Sequence, residues 1–157
     1  MVVTGTMLKI NRFMLHVIKN KTDPLVSLIK DDPVRPEIPV EERIGINKEI
    51  LVEMNDNGEP AAVVCVSYQH FVPDRVDGLI AAAASPEIAV FYTIWSYKNG
   101  AGRRLIFSAR EYIVENKKTV RRFVTLSPPT AMARKFHLQN GAIELRDNNE
   151  TVNYEYL

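Results

Sequence analysis

Apolar positions in the middle of the chain recur as they do along β-strands. Ile50, Val52 and Met54 occupy every second position, and a turn-rich segment at 55–60 leads into an apolar run at 61–68. Two strand patterns joined by a turn of Asn, Asp and Gly indicate a hairpin. We therefore predict an antiparallel hairpin at the centre of the fold.

A strand, a glycine turn and a helix are predicted to follow. Residues 88–97 form a continuous apolar and aromatic run, typical of a strand that is buried on both faces. Glycines interrupt residues 98–104, and apolar residues then recur at helical spacing over 105–113. The segment ahead of this unit, residues 76–84, is also predicted to be a helix.

The C-terminal part predicts three further strands and one helix. The strands are expected at 122–126, 142–145 and 152–156. Between the first two, Pro129 can start a helix that runs to residue 139, and Asn140-Gly141 can cap its end.

The N-terminal part has a weaker pattern. Apolar residues between Leu8 and Ile18 have rough helical spacing, and a short helix is predicted at 25–29. Three prolines within 31–39 predict an extended connector over the surface. The whole pattern predicts one α/β (α+β) domain over residues 1–157, with a mixed, mainly antiparallel sheet flanked by helices. Residues 1–48 are its helical or loop segment and residues 49–157 are its core.

Composition and charge remove several classes of function. The chain has 157 residues, and its 20 Lys and Arg balance 19 Asp and Glu, so no global field favours nucleic acid or a membrane surface. No segment reaches the roughly 18 apolar residues that a membrane span needs. Cys65 lies in an apolar run, where a buried inert thiol is expected. A reducing cytoplasmic setting fits this cysteine usage.

Neither a metal site nor a nucleic-acid site is predicted. His16, His70 and His137 are scattered, and no Cys/His cluster has the spacing of metal ligands. His16 and His70 are expected to be structural or solvent-exposed. The basic run at 117–122 fits a solvated helix C-terminus, with phosphate contacts as the weaker alternative.

The glycine turn resembles a known phosphate-binding motif. Glycines between a strand and a helix let backbone N–H groups approach a phosphate, although a plain tight turn is the alternative. Residues 97–102 (Tyr-Lys-Asn-Gly-Ala-Gly) are similar to the Arg/Gln-x-x-Gly-x-Gly/Ala pattern with which GNAT acyl-CoA N-acyltransferases bind the coenzyme A pyrophosphate, with Tyr97 at the Arg/Gln position. The resemblance implies these coenzyme A contacts: Tyr97, Lys98, Asn99, Gly100, Ala101, Gly102, Arg103 and Arg104.

Two later motifs resemble malonyl-CoA decarboxylases, whose catalytic domain is a GNAT fold. Leu126-Ser127-Pro128 precedes the block 136–142 (Phe-His-Leu-Gln-Asn-Gly-Ala), and both occur in that family in this order. Similar matches lie at 58–60, 90–92 and 153–156. The resemblance implies the catalytic residues Ser127, His137 and Tyr154.

This resemblance also implies the reaction. The expected enzyme is a lyase that converts malonyl-CoA to acetyl-CoA and CO₂, with a coenzyme A thioester as substrate and no permanently bound cofactor. The expected partner is the small-molecule acyl-CoA alone, without metal, nucleic acid or membrane, and a homodimer stays open.

The chain departs from that family at three points, which keep alternatives open. The family has a large helical domain ahead of the catalytic domain, a long insertion before the histidine block, and an acidic residue where this chain has Arg103 and Arg104. One alternative is an N-acetyltransferase in which His137 is the general acid and Glu59 or Glu144 receives the amine. Another is an inactive coenzyme A-binding module, in which Ser127 is a helix cap and His137 a helix-end residue.

Overall fold

The computed structural model describes residues 6–10 and 13–157, and the side chains from residue 14 onward. In this part of the chain the strands are β1 Thr6–Ile10, β2 Phe13–Ile18, β3 Lys48–Met54, β4 Pro60–Gln69, β5 Ile88–Ser96, β6 Arg122–Thr125, β7 Ile143–Asp147 and β8 Val152–Tyr156. The α-helices are α1 Ala101–Asn116 and α2 Ala131–Gln139, and short 3₁₀ segments lie at Pro24–Asp31, Val40–Glu42 and Val76–Leu79.

The strands of the described residues form one sheet in the order β1-β2-β3-β4-β5-β6-β8-β7. β5 and β6 run parallel, whereas the other neighbouring pairs are antiparallel. Helix α1 is the crossover between β5 and β6. The predicted mixed, mainly antiparallel α/β sheet with flanking helices is confirmed.

β5 and β6 separate into a fork halfway along β5. Their pairing ends at Phe91 opposite Thr125, and Leu126 N–H still donates to Phe91 O at 3.0 Å. β5 then continues to Ser96, while the register between β4 and β5 shifts so that Tyr92 is the extra residue. A bulge of this kind bends the strand that carries it. The fork is therefore built into the strand geometry.

Helices α1 and α2 lie on the same face of the sheet, where Phe136 of α2 packs against the apolar cluster that α1 buries. Helix α1 buries an apolar stripe that includes Leu105, Ala109 and Ile113 against the sheet. The Thr130 hydroxyl accepts from Ala133 N–H at 3.2 Å and caps the start of α2. Gly141, with φ +97°, follows the end of α2 in the left-handed conformation that glycine adopts freely.

The opposite face is covered by residues 24–44, which contradicts the predicted surface connector at 31–39. Asp32 and Arg43 form an ion pair at 2.6 Å with both side chains fully buried, and Thr93 donates to Asp32 at 2.7 Å. Arg35 is also buried and donates to the carbonyl of Leu126 at 2.9 Å. The prolines do prevent a regular element, but buried side-chain hydrogen bonds hold the segment against the sheet.

The predicted helix at 76–84 is wrong, and the rough helical spacing over residues 8–18 does not correspond to a helix either. Residues 13–18 are strand β2, because they pair with β3 from Met14 opposite Met54 to Ile18 opposite Ile50. Of residues 76–84, Val76–Leu79 form only a 3₁₀ turn. Side chains of β4 donate hydrogen bonds to backbone carbonyls that would accept from N–H groups within a helix. Ser67 donates to Leu79 O at 2.7 Å, and Gln69 donates to Ala81 O at 2.8 Å.

The remaining elements agree with the sequence pattern. The hairpin of β3 and β4, the strand before the glycine turn, helix α1 and the three C-terminal strands lie where they were predicted. Cys65 is fully buried, and burial raises the pKa of its thiol to about 11. His16 is buried and hydrogen-bonded to Asp23, whereas His70 is exposed.

Candidate active site

Two adjoining cavities occupy the fork and the glycine turn. The outer cavity, of about 710 Å³, is lined by Ser96, Tyr97, Lys98, Asn99, Gly100, Gly102, Arg103, Phe136, Gln139 and Asn140. The inner cavity, of about 360 Å³, lies in the fork and has walls from β5, from residues 127–137 and from Pro33 and Val34. Ser96, Gly102 and Phe136 line both cavities, so a long ligand could extend from one into the other.

The N-terminus of helix α1 opens on the outer cavity. Gly100 adopts φ +77°, and the turn is closed by Ala101 N–H donating to Lys98 O at 3.2 Å. N–H groups in the first turn of a helix have no acceptor within the helix and attract anions. A side chain at Gly102 would bring its Cβ to 3.2 Å from Phe136 Cε1. Glycine at this position therefore keeps the junction between the two cavities open.

Six of the eight predicted coenzyme A contacts line the outer cavity, and the other two, Ala101 and Arg104, do not. The outer cavity is lined by Tyr97, Lys98, Asn99, Gly100, Gly102 and Arg103.

Ala101 is buried beneath the turn, and Arg104 donates instead to Glu53 on β3 at 3.2 Å. Burial raises the pKa of Glu53, and Arg104 opposes that shift. Tyr97 accepts from Trp95 at 3.0 Å and donates to Asp31 at 2.8 Å, which fixes its ring at the mouth of the cavity.

Ser127 and His137 both line the inner cavity. Ser127 follows β6, where its backbone exchanges two hydrogen bonds of 2.9 Å with Val152. Its Oγ lies 2.8 Å from Thr125 Oγ1. His137 projects from α2, and its Nδ1 lies 2.7 Å from the Tyr156 hydroxyl. No direct hydrogen bond joins Ser127 to His137 among the described residues, so the two groups face the cavity independently.

Burial keeps the His137 ring neutral at physiological pH. The side chain is about 5% exposed, and this desolvation lowers the pKa of His137 to about 4. Burial also raises the pKa of Tyr156, so its phenol stays protonated. When the Tyr156 O–H donates to Nδ1, the single hydrogen of the neutral ring lies on Nε2. The Nε2–H group can then donate to a ligand in the inner cavity.

The third predicted catalytic residue, Tyr154, lies behind the histidine. Its ring stacks on the His137 imidazole with centroids 5.1 Å apart, while Phe136 contacts the imidazole edge-on at the same distance. In the described structure Tyr154 lines neither cavity, and its side chain is about 1% exposed. Tyr154 therefore packs against one face of the His137 imidazole and does not line a cavity itself.

Sequence reasoning missed Thr125 and Tyr156 as members of the site. Tyr156 lies two residues after Tyr154 on β8, and Thr125, the last residue of β6, lies two residues before Ser127. In extended chain a spacing of two places both side chains on one face. That spacing was the available signal. Tyr156 is the residue that contacts the ring nitrogen of His137.

The two carboxylates considered as amine acceptors lie elsewhere. Glu59 lies in an exposed turn and accepts from Asn55. Glu144 lies on the exposed strand β7 and forms an ion pair with Arg134 of α2. Of the described residues that line the two cavities, none is acidic. Within residues 6–10 and 13–157 no three potential metal ligands cluster. No helix in the same ranges could span a membrane.

Comparison with known proteins identifies the fold. No family model and no curated protein matches the sequence. Malonyl-CoA decarboxylase from Agrobacterium vitis superposes with a TM-score of 0.76 at 18% identity, over 92% of this chain and 60% of that chain. The Rhodopseudomonas palustris enzyme gives 0.74 at 21% identity, over 92% and 60%.

A second group of similar structures consists of acetyltransferase domains. The GNAT domain of S. lividans PAT gives a TM-score of 0.60 at 14% identity, over 91% of this chain and 90% of that domain. This chain spans about 60% of the length of the decarboxylases. The protein therefore has the GNAT fold, shared with malonyl-CoA decarboxylases and with GNAT acetyltransferases.

Proposed function

We propose that this protein is an acyl-CoA enzyme that decarboxylates malonyl-CoA to acetyl-CoA and CO₂. The observation that carries the proposal is the placement of Ser127 and His137 on the wall of one inner cavity, which adjoins the glycine turn at the start of α1. The fold shared with the malonyl-CoA decarboxylases of A. vitis and R. palustris supports the same reaction class.

In this proposal the substrate lies across both cavities. Its pyrophosphate is bound by the backbone N–H groups at the start of α1, with Lys98 and Arg103 on the cavity wall as cations. The pantetheine arm passes Gly102 and follows β5 into the fork. The thioester then lies in the inner cavity beside Ser127 and His137.

The reaction breaks the bond between C2 of the malonyl group and its carboxylate carbon. The electron pair moves onto the thioester as an enolate, CO₂ leaves, and C2 takes one proton. The thioester carbonyl accepts the electrons, so the site must supply hydrogen-bond donors to that oxygen and one proton to C2. His137 Nε2–H serves as a neutral donor, Ser127 O–H supplies the proton, and water returns a proton to the serine oxygen.

Acetyl transfer to an amine is the competing proposal, and it needs a different site. A protonated amine must lose a proton before it attacks the thioester, which requires a base near the cavity. The described walls of the inner cavity, where the thioester would lie, carry no carboxylate, and the Asp31 carboxylate lies at the mouth of the outer cavity, hydrogen-bonded to Tyr97. His137, with a pKa of about 4, is a weak base at neutral pH. Hydrogen-bond donors without a base fit decarboxylation better.

The proposal is tested with purified protein and malonyl-CoA alone, followed by mass spectrometry. Ser127→Ala and His137→Gln are each expected to lower kcat by about 10²-fold or more, because positioned proton donors contribute on that scale. Ser27→Ala and His70→Gln change exposed residues of the same types and serve as matched controls. Wild-type turnover that survives in the Ser127→Ala/His137→Gln double variant would contradict the assignment.

A further inference from the structure

A second hydroxyl lies directly behind Ser127. Thr125 is the last residue of β6, and Ser127 follows two residues later where the chain still bridges to Val152, so the two side chains lie on the same side of the chain. The two oxygens, Thr125 Oγ1 and Ser127 Oγ, are 2.8 Å apart. Thr125 is fully buried and lines neither cavity, whereas Ser127 lines the inner cavity. Thr125 therefore acts on a ligand only through its neighbour.

The hydrogen bonds of Thr125 determine which hydroxyl donates to the other. Thr125 Oγ1 accepts the backbone N–H of Tyr154 at 3.0 Å, and an N–H cannot accept the threonine hydrogen in return. Among the described residues, the other polar contact of this hydroxyl is Ser127 Oγ. The buried hydrogen of Thr125 therefore has one acceptor, the serine oxygen.

The opposite arrangement leaves a buried donor without a partner. If Ser127 donated to Thr125, the threonine hydrogen would have no acceptor, and an unsatisfied buried donor is strongly disfavoured. Ser127 does not suffer the same penalty, because its hydrogen can turn into the cavity. The backbone of Ser127 is held by its two hydrogen bonds to Val152, so the hydroxyl can reorient while the chain stays fixed.

We propose that Thr125 is a positioning residue that donates its hydroxyl hydrogen to Ser127 and thereby directs the Ser127 hydrogen into the inner cavity. In this arrangement the serine presents a donor to the ligand. After proton transfer to C2, the same Thr125 O–H stabilises the serine oxygen until water returns the proton. The kinetic part of this inference rests on the proposed decarboxylation, whereas the direction of the hydrogen bond does not.

Neutron diffraction of the deuterated protein tests the direction of this hydrogen bond without reference to any reaction. The expected result is a deuteron on Thr125 Oγ1 that points at Ser127 Oγ, with the Ser127 deuteron directed into the cavity. A deuteron on Ser127 Oγ that points at Thr125 Oγ1 would overturn the inference, whether or not the protein turns over malonyl-CoA.

A double-mutant cycle tests the consequence for catalysis. Thr125→Val removes the hydroxyl with little change in shape, and Thr125→Ser retains a hydroxyl at the same position. Thr125→Val is expected to lower kcat by about 10²-fold with KM nearly unchanged, and Thr125→Ser to restore most of the rate. In a Ser127→Ala background the Thr125→Val change should have almost no further effect.

The outcomes separate this inference from the proposed function. A wild-type protein that leaves malonyl-CoA intact contradicts the decarboxylase, while the neutron result still decides the hydrogen-bond direction. Activity that depends on Ser127 but is unchanged in Thr125→Val contradicts the positioning role alone. An equal loss on Thr125→Val with and without Ser127 also contradicts it, because the effect would not pass through the serine.

Discussion

The buried imidazole of His137 makes the stability of the protein depend on pH. Burial lowers the pKa of His137 from its ordinary 6.5 to about 4 in the folded chain. Between these two values the unfolded chain binds the proton and the folded chain does not. The His137 contribution to stability therefore increases with pH through this window and is lost as pH falls from about 6.5 towards 4.

The size of this effect follows from the two pKa values. A shift from 6.5 to about 4 corresponds to about 3 kcal/mol once the pH lies below both values. Between pH 7.5 and pH 5 the expected loss is about 2 kcal/mol of unfolding free energy. Carboxylates also titrate at the lower end, so the quantity to measure is the difference between wild type and His137→Gln.

Urea unfolding of both proteins at several pH values measures that difference. The wild type is expected to lose about 2 kcal/mol more than His137→Gln between pH 7.5 and pH 5. An NMR titration of the imidazole gives its pKa directly. Parallel pH profiles for the two proteins, or an imidazole that titrates between pH 6 and 7, would refute the buried neutral histidine.

Three further changes have defined outcomes. Arg43→Met leaves the buried Asp32 carboxylate unpaired, so urea unfolding should show a loss of about 3–5 kcal/mol, and a loss below about 1 kcal/mol would contradict that role. Gly102→Val places a side chain at the cavity junction, so calorimetry should show coenzyme A binding at least about 10-fold weaker, and unchanged affinity would refute this use of the turn. Tyr156→Phe removes the partner of His137 Nδ1, so kcat for malonyl-CoA should fall about 10-fold, and an unchanged kcat would show that this hydrogen bond is dispensable.

Two matched controls accompany these variants. Arg121→Met changes an exposed arginine and is expected to leave the unfolding free energy within about 0.5 kcal/mol of wild type. Gly45→Val changes a glycine whose added Cβ would meet no atom within 4 Å, and it should leave coenzyme A affinity unchanged.

The parts of the site that follow from local pattern could be predicted from the sequence. A glycine turn between an apolar strand and an amphipathic helix depends on residues close together in the chain, and residues 98–104 lie where that pattern places them. The family resemblance selected Ser127 and His137, and the structure brings both to one cavity. Their catalytic roles stay predictions.

The parts that depend on distant contacts could not be predicted. Residues 13–18 form a strand because β3 pairs with them, and that pairing overrides the weak helical spacing of their apolar residues. Arg43 is fully buried although arginine usually lies at the surface, because Asp32 and the carbonyls of Arg35 and Ile38 satisfy its guanidinium. Such contacts leave no trace in a local pattern.

The same limit explains why Thr125 and Tyr156 were missed. Their roles depend on side chains from another strand or helix: the N–H of Tyr154 for Thr125, and the imidazole of His137 for Tyr156. Alternation along a strand indicates which residues share a face. It does not indicate which of them contacts a catalytic group.

The most direct test of the decarboxylase proposal uses malonyl-CoA labelled with ¹³C at the free carboxylate. The wild-type protein, without any amine, is expected to release one ¹³CO₂ for each acetyl-CoA formed, and His137→Gln should lose this release. Labelled malonyl-CoA that stays intact while acetyl-CoA still binds to the protein would contradict the proposed decarboxylation and favour acyl transfer or a coenzyme A-binding module.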